Sequence, residues 1–106
     1  EFIDVFEAAG RMYPQREIAN INAATAALSR NDLVSAERYL GMVNLNKNLP
    51  EYNNAMGILM LMKGDYELSK KYLKVAEQAG LDAARGNLEE LARKKANAAE
   101  MRKNSK

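Results

Sequence analysis

A chain of 106 residues amounts to one domain, and 47% apolar against 28% charged residues is an ordinary balance for a globular protein. It contains neither cysteine nor histidine, which excludes disulfides, thiolate metal sites and imidazole acid–base chemistry. Residues 1–84 hold nine Lys/Arg against eleven Asp/Glu, a balance of −2, while residues 85–106 hold seven against three, a balance of +4. Positive charge gathered at one end suits a solvated helix rather than the basic stripe of a nucleic-acid-binding face.

Ala, Leu, Glu, Lys, Met and Arg dominate, β-branched residues are scarce, and only two prolines interrupt the chain. These are strong helix formers, so an all-α fold is predicted. The chain opens on Glu1 instead of Met, which suits a segment of a longer polypeptide, and no secretory leader is visible. The longest apolar run, Met56 to Met62, is too short to cross a bilayer, so no direct membrane insertion is expected.

The predicted elements, in chain order, repeat. In the stretch 18–29 the apolar residues Ile18, Ile21, Ala24 and Leu28 recur at helical spacing; Leu33, Ala36, Leu40 and Val43 follow in a second helix. Between them stands a turn, Arg30-Asn31-Asp32. A shift of 33 residues sets Asn31-Asp32-Leu33 on Gly64-Asp65-Tyr66, Arg38-Tyr39-Leu40 on Lys71-Tyr72-Leu73, Asn20 on Asn53 and Ala24 on Gly57. Gly64 suits a left-handed helix stop and Asp65 an N-cap, with Asn31 and Asp32 filling the same roles less well. Gly57 inside a strong helix implies a close crossing against Tyr66, Leu73 or Ala76; Ala24 with Ala36 would be its counterpart. A final helix over 86–103 places Leu88, Leu91 and Ala92 on one apolar face, with Arg93, Lys94, Lys95 and Arg102 on the others, as a cap.

Gly57, Gly64-Asp65-Tyr66, Tyr72, Leu73 and Ala76 resemble the tetratricopeptide repeat, with its small residue, turn, aromatic, large apolar and second small residue. Phe6, Ala9 and Pro14 have the spacing of such a repeat's second helix and closing proline. The resemblance divides the chain into a half repeat (1–16), two repeats (17–49 and 50–83), a capping helix (86–103) and a tail (104–106). It implies a right-handed α-α superhelix of antiparallel helix pairs. Asn20, Asn53 and Asn87 replace the family's early aromatic, and Ala76, Gly80, Ala83-Ala84 and Gly86 drift toward the Sel1-like pattern. Phe6, Pro14, Asn20-Ile21-Asn22-Ala23-Ala24 and Asn53-Asn54-Ala55-Met56-Gly57 are also similar to the C-terminal repeat segment of some Gram-negative OmpA-like outer-membrane proteins. That implies a periplasmic or outer-membrane-associated setting, with a cytoplasmic one left open.

The family's first helices line a concave surface that holds a segment of another protein. By position, that groove would comprise Ile21, Asn22, Thr25, Ser29, Glu51, Asn54, Ile58 and Met62. Ile21 and Thr25 stand where carboxylate-clamping relatives carry Lys and Asn, so such a clamp is not expected. Asn20, Asn53 and Asn87 read either as a ladder of amides satisfying backbone groups between repeats or as groove donors to a peptide. The alternative is structural: the repeats pack against the rest of their own envelope polypeptide.

Little in the sequence points to catalysis. Ser69-Lys70-Lys71 has ordinary surface spacing, Glu89-Glu90 point about 100° apart on a helix, and there is neither a phosphate-binding glycine loop nor an Asp-rich cation loop. No enzyme activity, metal or cofactor is expected, and the expected partner is a protein or peptide.

Overall fold

The computed structural model describes the backbone of residues 2–104 and the side chains of residues 16–103. Five helices follow one another: α1 (Phe2–Ser29), α2 (Leu33–Gly41), α3 (Pro50–Lys63), α4 (Tyr66–Gln78) and α5 (Asp82–Asn104). The chain is all-α among the described residues.

Three of the four connections are cut by one device. Asn31, Gly64 and Gly80 have φ of 64°, 87° and 96°, each just past a helix end. After α3, the Gly64 amide bonds the Leu61 carbonyl at 3.1 Å and the Asp65 amide the Met60 carbonyl at 2.8 Å. The amides of Asn31 and Asp32 reach Leu28 and Ala27 in the same way, and those of Gly80 and Leu81 reach Glu77 and Ala76. This is the Schellman closure, which satisfies carbonyls left over at a helix end. Asp32 and Asp65 then cap α2 and α4, their carboxylates accepting from the amides of Ser35 and Leu68. The two turns expected at Asn31-Asp32 and Gly64-Asp65 are therefore observed.

Packing follows a fixed order. Each helix contacts the next, and the odd-numbered helices also contact one another in sequence, α1 on α3 and α3 on α5; α2 and α4 do not meet among the described residues. Ile21, Ala24, Ala27, Leu28, Ala36, Leu40, Val43, Tyr52, Ala55 and Leu59 form one buried cluster through α1, α2, α3 and the segment that joins α2 to α3. Leu61, Leu73 and Leu91 form a second through α3, α4 and α5.

The close crossing falls at α3 on α4. A Cβ built on Gly57 would stand 2.5 Å from both Cγ and Cδ2 of Leu73 and 3.3 Å from its backbone nitrogen. Of the three expected neighbours, Leu73 supplies the nearest atoms. Beside it the buried Ser69 hydroxyl donates to the Gly57 carbonyl at 2.7 Å. With no side chain on Gly57, α4 comes close enough for that bond.

Several expectations are corrected. Pro14 ends no helix: α1 runs from Phe2 to Ser29 without a break, so no helix boundary separates 1–16 from 17–49. The side chains of Phe6, Ala9 and Pro14 lie outside those described. Ile18, placed on the apolar face by spacing, is 45% exposed. The last helix starts at Asp82, not at 86, and its buried positions are Ala84 and Leu91, with Leu88 half-buried and Ala92 exposed. The helix lies on its neighbours a little further round, so Ala92 faces water.

Candidate functional site

The site builds from the mismatch between α2 and α4. A shift of 33 would carry α2 to residue 45, yet it stops at Gly41, with Met42 as cap. Gly41 matches Lys74 in α4, and glycine inside a helix costs about 0.5–1 kcal/mol relative to alanine. The residues released form an eight-residue connection, 42–49, that crosses to α3.

A single carboxylate holds this connection. Glu17 Oε2 accepts from the Asn44 amide at 2.8 Å, both oxygens accept from the Leu45 amide at 3.1 and 3.2 Å, and Oε1 accepts from the Asn46 amide at 2.9 Å and the Asn46 side chain at 2.7 Å. Glu17 is only 4% exposed. The Asn44 amide, foremost, holds its carboxyl below the ordinary value of 4.5 against the opposing effect of burial; the Asn46 side chain and the amides of Leu45 and Asn46 add to it. Successive amides turned on one anion form a concave nest, filled here by the chain's own side chain.

Beyond the staple the connection ends at Leu49, which precedes Pro50 at the first position of α3. Leu49 forms one wall of a cleft of about 180 Å³ between α1 and α3, lined also by Ile18, Ile21, Asn22 and Glu51. The floor is apolar, and Asn22 and Glu51 stand exposed on the rim. The Asn22 amide makes no hydrogen bond among the described residues.

The eight expected groove residues divide on this geometry. Ile21, Asn22 and Glu51 meet at the cleft, although Ile21 is a core residue, 2% exposed, that offers only an edge. Thr25 and Ser29 are exposed, but their hydroxyls donate to carbonyls of their own helix, to Ile21 at 3.0 Å and Ala26 at 2.7 Å. Asn54 accepts from the Asn87 side chain at 2.7 Å, an amide pair that ties α3 to α5. Ile58 and Met62 are half-buried and pack against the core cluster. Met62 is no more exposed in kind than Met56 or Met60.

The asparagine ladder is uneven. Asn53 is buried and donates to the carbonyls of Lys47 and Leu49 at 3.1 and 3.0 Å, satisfying backbone groups at the start of α3 as expected. Asn87 bonds a side chain instead, and Asn20 is half-buried. Ile18 was expected on the apolar face and not at a site, and Leu49 and Glu17 were not singled out in the sequence. Ile18 and Leu49 could have been found as apolar residues flanking Asn22 and Pro50; nothing local marks Glu17, whose partners lie 27 to 29 residues on.

Other groups have structural partners. The Ser69 hydroxyl is committed to Gly57, and Glu90 pairs with Arg93. Burial pushes the Tyr52 phenol up, with Tyr72 adding to the shift. Among the described residues no cluster of three or more acidic groups could hold a metal ion, and no helix is long and apolar enough to cross a membrane. Comparison with protein-family models, curated proteins and solved structures finds no match to this chain.

Proposed function

We propose that this chain is a tetratricopeptide-like repeat array that binds an extended protein segment along its α1–α3 face and catalyses nothing. The observation that carries the reading is the cleft between those helices. It combines an apolar floor from Ile18, Ile21 and Leu49 with an unpaired Asn22 amide at the rim. An amide beside an apolar pocket suits a peptide read through its main chain and anchored by one apolar side chain. The packing order supports the architecture: α1 with α2 and α3 with α4 act as helix pairs, α5 as a capping first helix, and the odd-numbered helices stack in a row, as a superhelical array requires.

The test is a pull-down with the wild-type chain and with Ile18→Glu/Asn22→Ala, both of which alter side chains that are not buried. Partners captured by wild type and lost by the double variant, but kept by Lys71→Glu on α4, support the reading. Equal capture by all three overturns it.

A second reading draws on exposed apolar residues elsewhere. Leu68 and Val75, 39% and 43% exposed, stand two turns apart on one face of α4. Such a face suits packing against another part of a parent cell-envelope chain. Solvent protection of that face within the parent would favour this reading.

A further inference from the structure

The α1–α3 cleft is about one side chain in size. Its volume of about 180 Å³ is close to the roughly 150 Å³ of an apolar cavity that takes up benzene, so it admits one side chain the size of leucine or phenylalanine. α1 supplies Ile18, Ile21 and Asn22 to its lining, α3 supplies Glu51, and the connection supplies Leu49. Glu51 is the one charge in this lining, which includes no Lys or Arg. Glu37, Glu67 and Glu90 each have a cation beside them, whereas Glu51 is exposed and makes no ion pair among the described residues. It stands in the first turn of α3, whose positive end carries only about half an elementary charge, so the rim stays negative.

An extended chain converts that one charge into a spacing. Successive side chains point to opposite faces, and residues two apart share a face at a separation of about 7 Å. An anchor lowered into the cleft therefore turns its immediate neighbours away from the protein. The residue two places along lies over the rim instead, and a Lys or Arg there carries its charge to Glu51 on a flexible stem.

We propose that the segment taken by the α1–α3 cleft is basic as well as apolar: one Leu-, Met- or Phe-sized anchor with Lys or Arg two residues from it, selected by Glu51. This rests on the peptide-binding reading above and adds the partner's charge and its spacing. Glu51 sets specificity more than affinity, because a pair between exposed groups is worth about five-fold at most. Salt weakens it, and a segment with an acidic residue in that place is repelled.

Panning a phage library of random peptides on the full chain tests this, with Ile18→Glu/Asn22→Ala and Glu51→Lys panned in parallel. Wild type should enrich peptides, lost on Ile18→Glu/Asn22→Ala, that carry an apolar anchor with Lys or Arg two residues away. Glu51→Lys should enrich Asp or Glu at that place. If charge reversal lowers helicity by far-UV circular dichroism, Glu51→Gln replaces it and should abolish the basic preference. A synthetic peptide from the wild-type selection should bind Glu51→Gln up to about five-fold more weakly, and the difference should shrink as salt is added. Cleft-dependent peptides without a basic preference, or with the same preference on Glu51→Lys, overturn this inference and leave the cleft as a peptide site. Peptides captured equally by Ile18→Glu/Asn22→Ala, or no enrichment at all, overturn the cleft reading and this inference with it.

Discussion

Replacing Gly57 by alanine sets two known effects against each other, and the geometry says which wins. In an unobstructed helix the change stabilises by about 0.5–1 kcal/mol, because alanine loses less conformational freedom. Gly86 in α5 is such a site, with nothing within 4 Å of an added Cβ. At Gly57 the new atom would lie 2.5 Å from two carbons of Leu73, a fully buried side chain, and 3.3 Å from its backbone nitrogen. Swinging Leu73 aside cannot relieve both contacts, so α3 and α4 must part and stretch the Ser69 bond. Overpacking of this kind costs about 1–3 kcal/mol. The propensity gain offsets about 0.5–1 kcal/mol of that, leaving a net loss of up to about 2.5 kcal/mol, or a drop of roughly 4–8 °C in Tm per kcal/mol in a domain of this size. Gly57→Leu should be worse still. Urea and thermal unfolding followed by far-UV circular dichroism measure the difference. Gly86→Ala should raise stability and Gly57→Ala lower it. Repeating Gly57→Ala in a Leu73→Ala background removes the side-chain clash and leaves only the 3.3 Å contact with the backbone nitrogen, so there the substitution should cost clearly less than in the wild-type background. If Gly57→Ala stabilises as much as Gly86→Ala in the wild-type background, the proposed contact does not exist.

Three further outcomes follow from named contacts. Glu17 and Asp32 have carboxyls held below their ordinary values, Glu17 by amides of the connection and Asp32 first by its bonds to Ser35. Their stabilisation is present above the unfolded values of 4.5 and 3.8 and is lost as pH falls through the lower folded ones. Glu17→Gln should therefore lower Tm at neutral pH and flatten the acid limb of a Tm–pH curve; an unchanged limb would refute the staple. Asn31→Gly should stabilise, and Gly64→Ala destabilise, each by about 1 kcal/mol, since only glycine takes the left-handed conformation without cost; denaturant midpoints that move the other way would exclude these closures. Asn53→Ala should cost about 0.5–1.5 kcal/mol by removing the side-chain bonds to the Lys47 and Leu49 carbonyls, whereas Asn20→Ala should cost less, as urea midpoints will show.

What the sequence determined is what neighbouring residues decide among themselves. The helices, the stops at Asn31 and Gly64 and the caps at Asp32 and Asp65 all depend on bonds spanning three to five residues, so their signals stand close together in the chain. Gly57 was legible for a related reason: an interior glycine is unfavourable unless packing compensates, although only the structure showed that the compensating neighbour is Leu73. Tertiary structure alone decided the rest. Glu17 looks like any surface carboxylate until α2 stops early and turns three amides toward it across 27 to 29 residues. Asn54 looked free for a peptide, and Asn87, 33 residues away, occupies it. Ile18 followed the apolar period but fell at the edge of the contact with α3, becoming cleft floor instead of core. Hydrophobic periodicity names the face of a helix; which residues on that face are covered depends on the angle and position at which the next helix arrives, and those are properties of the whole packed array.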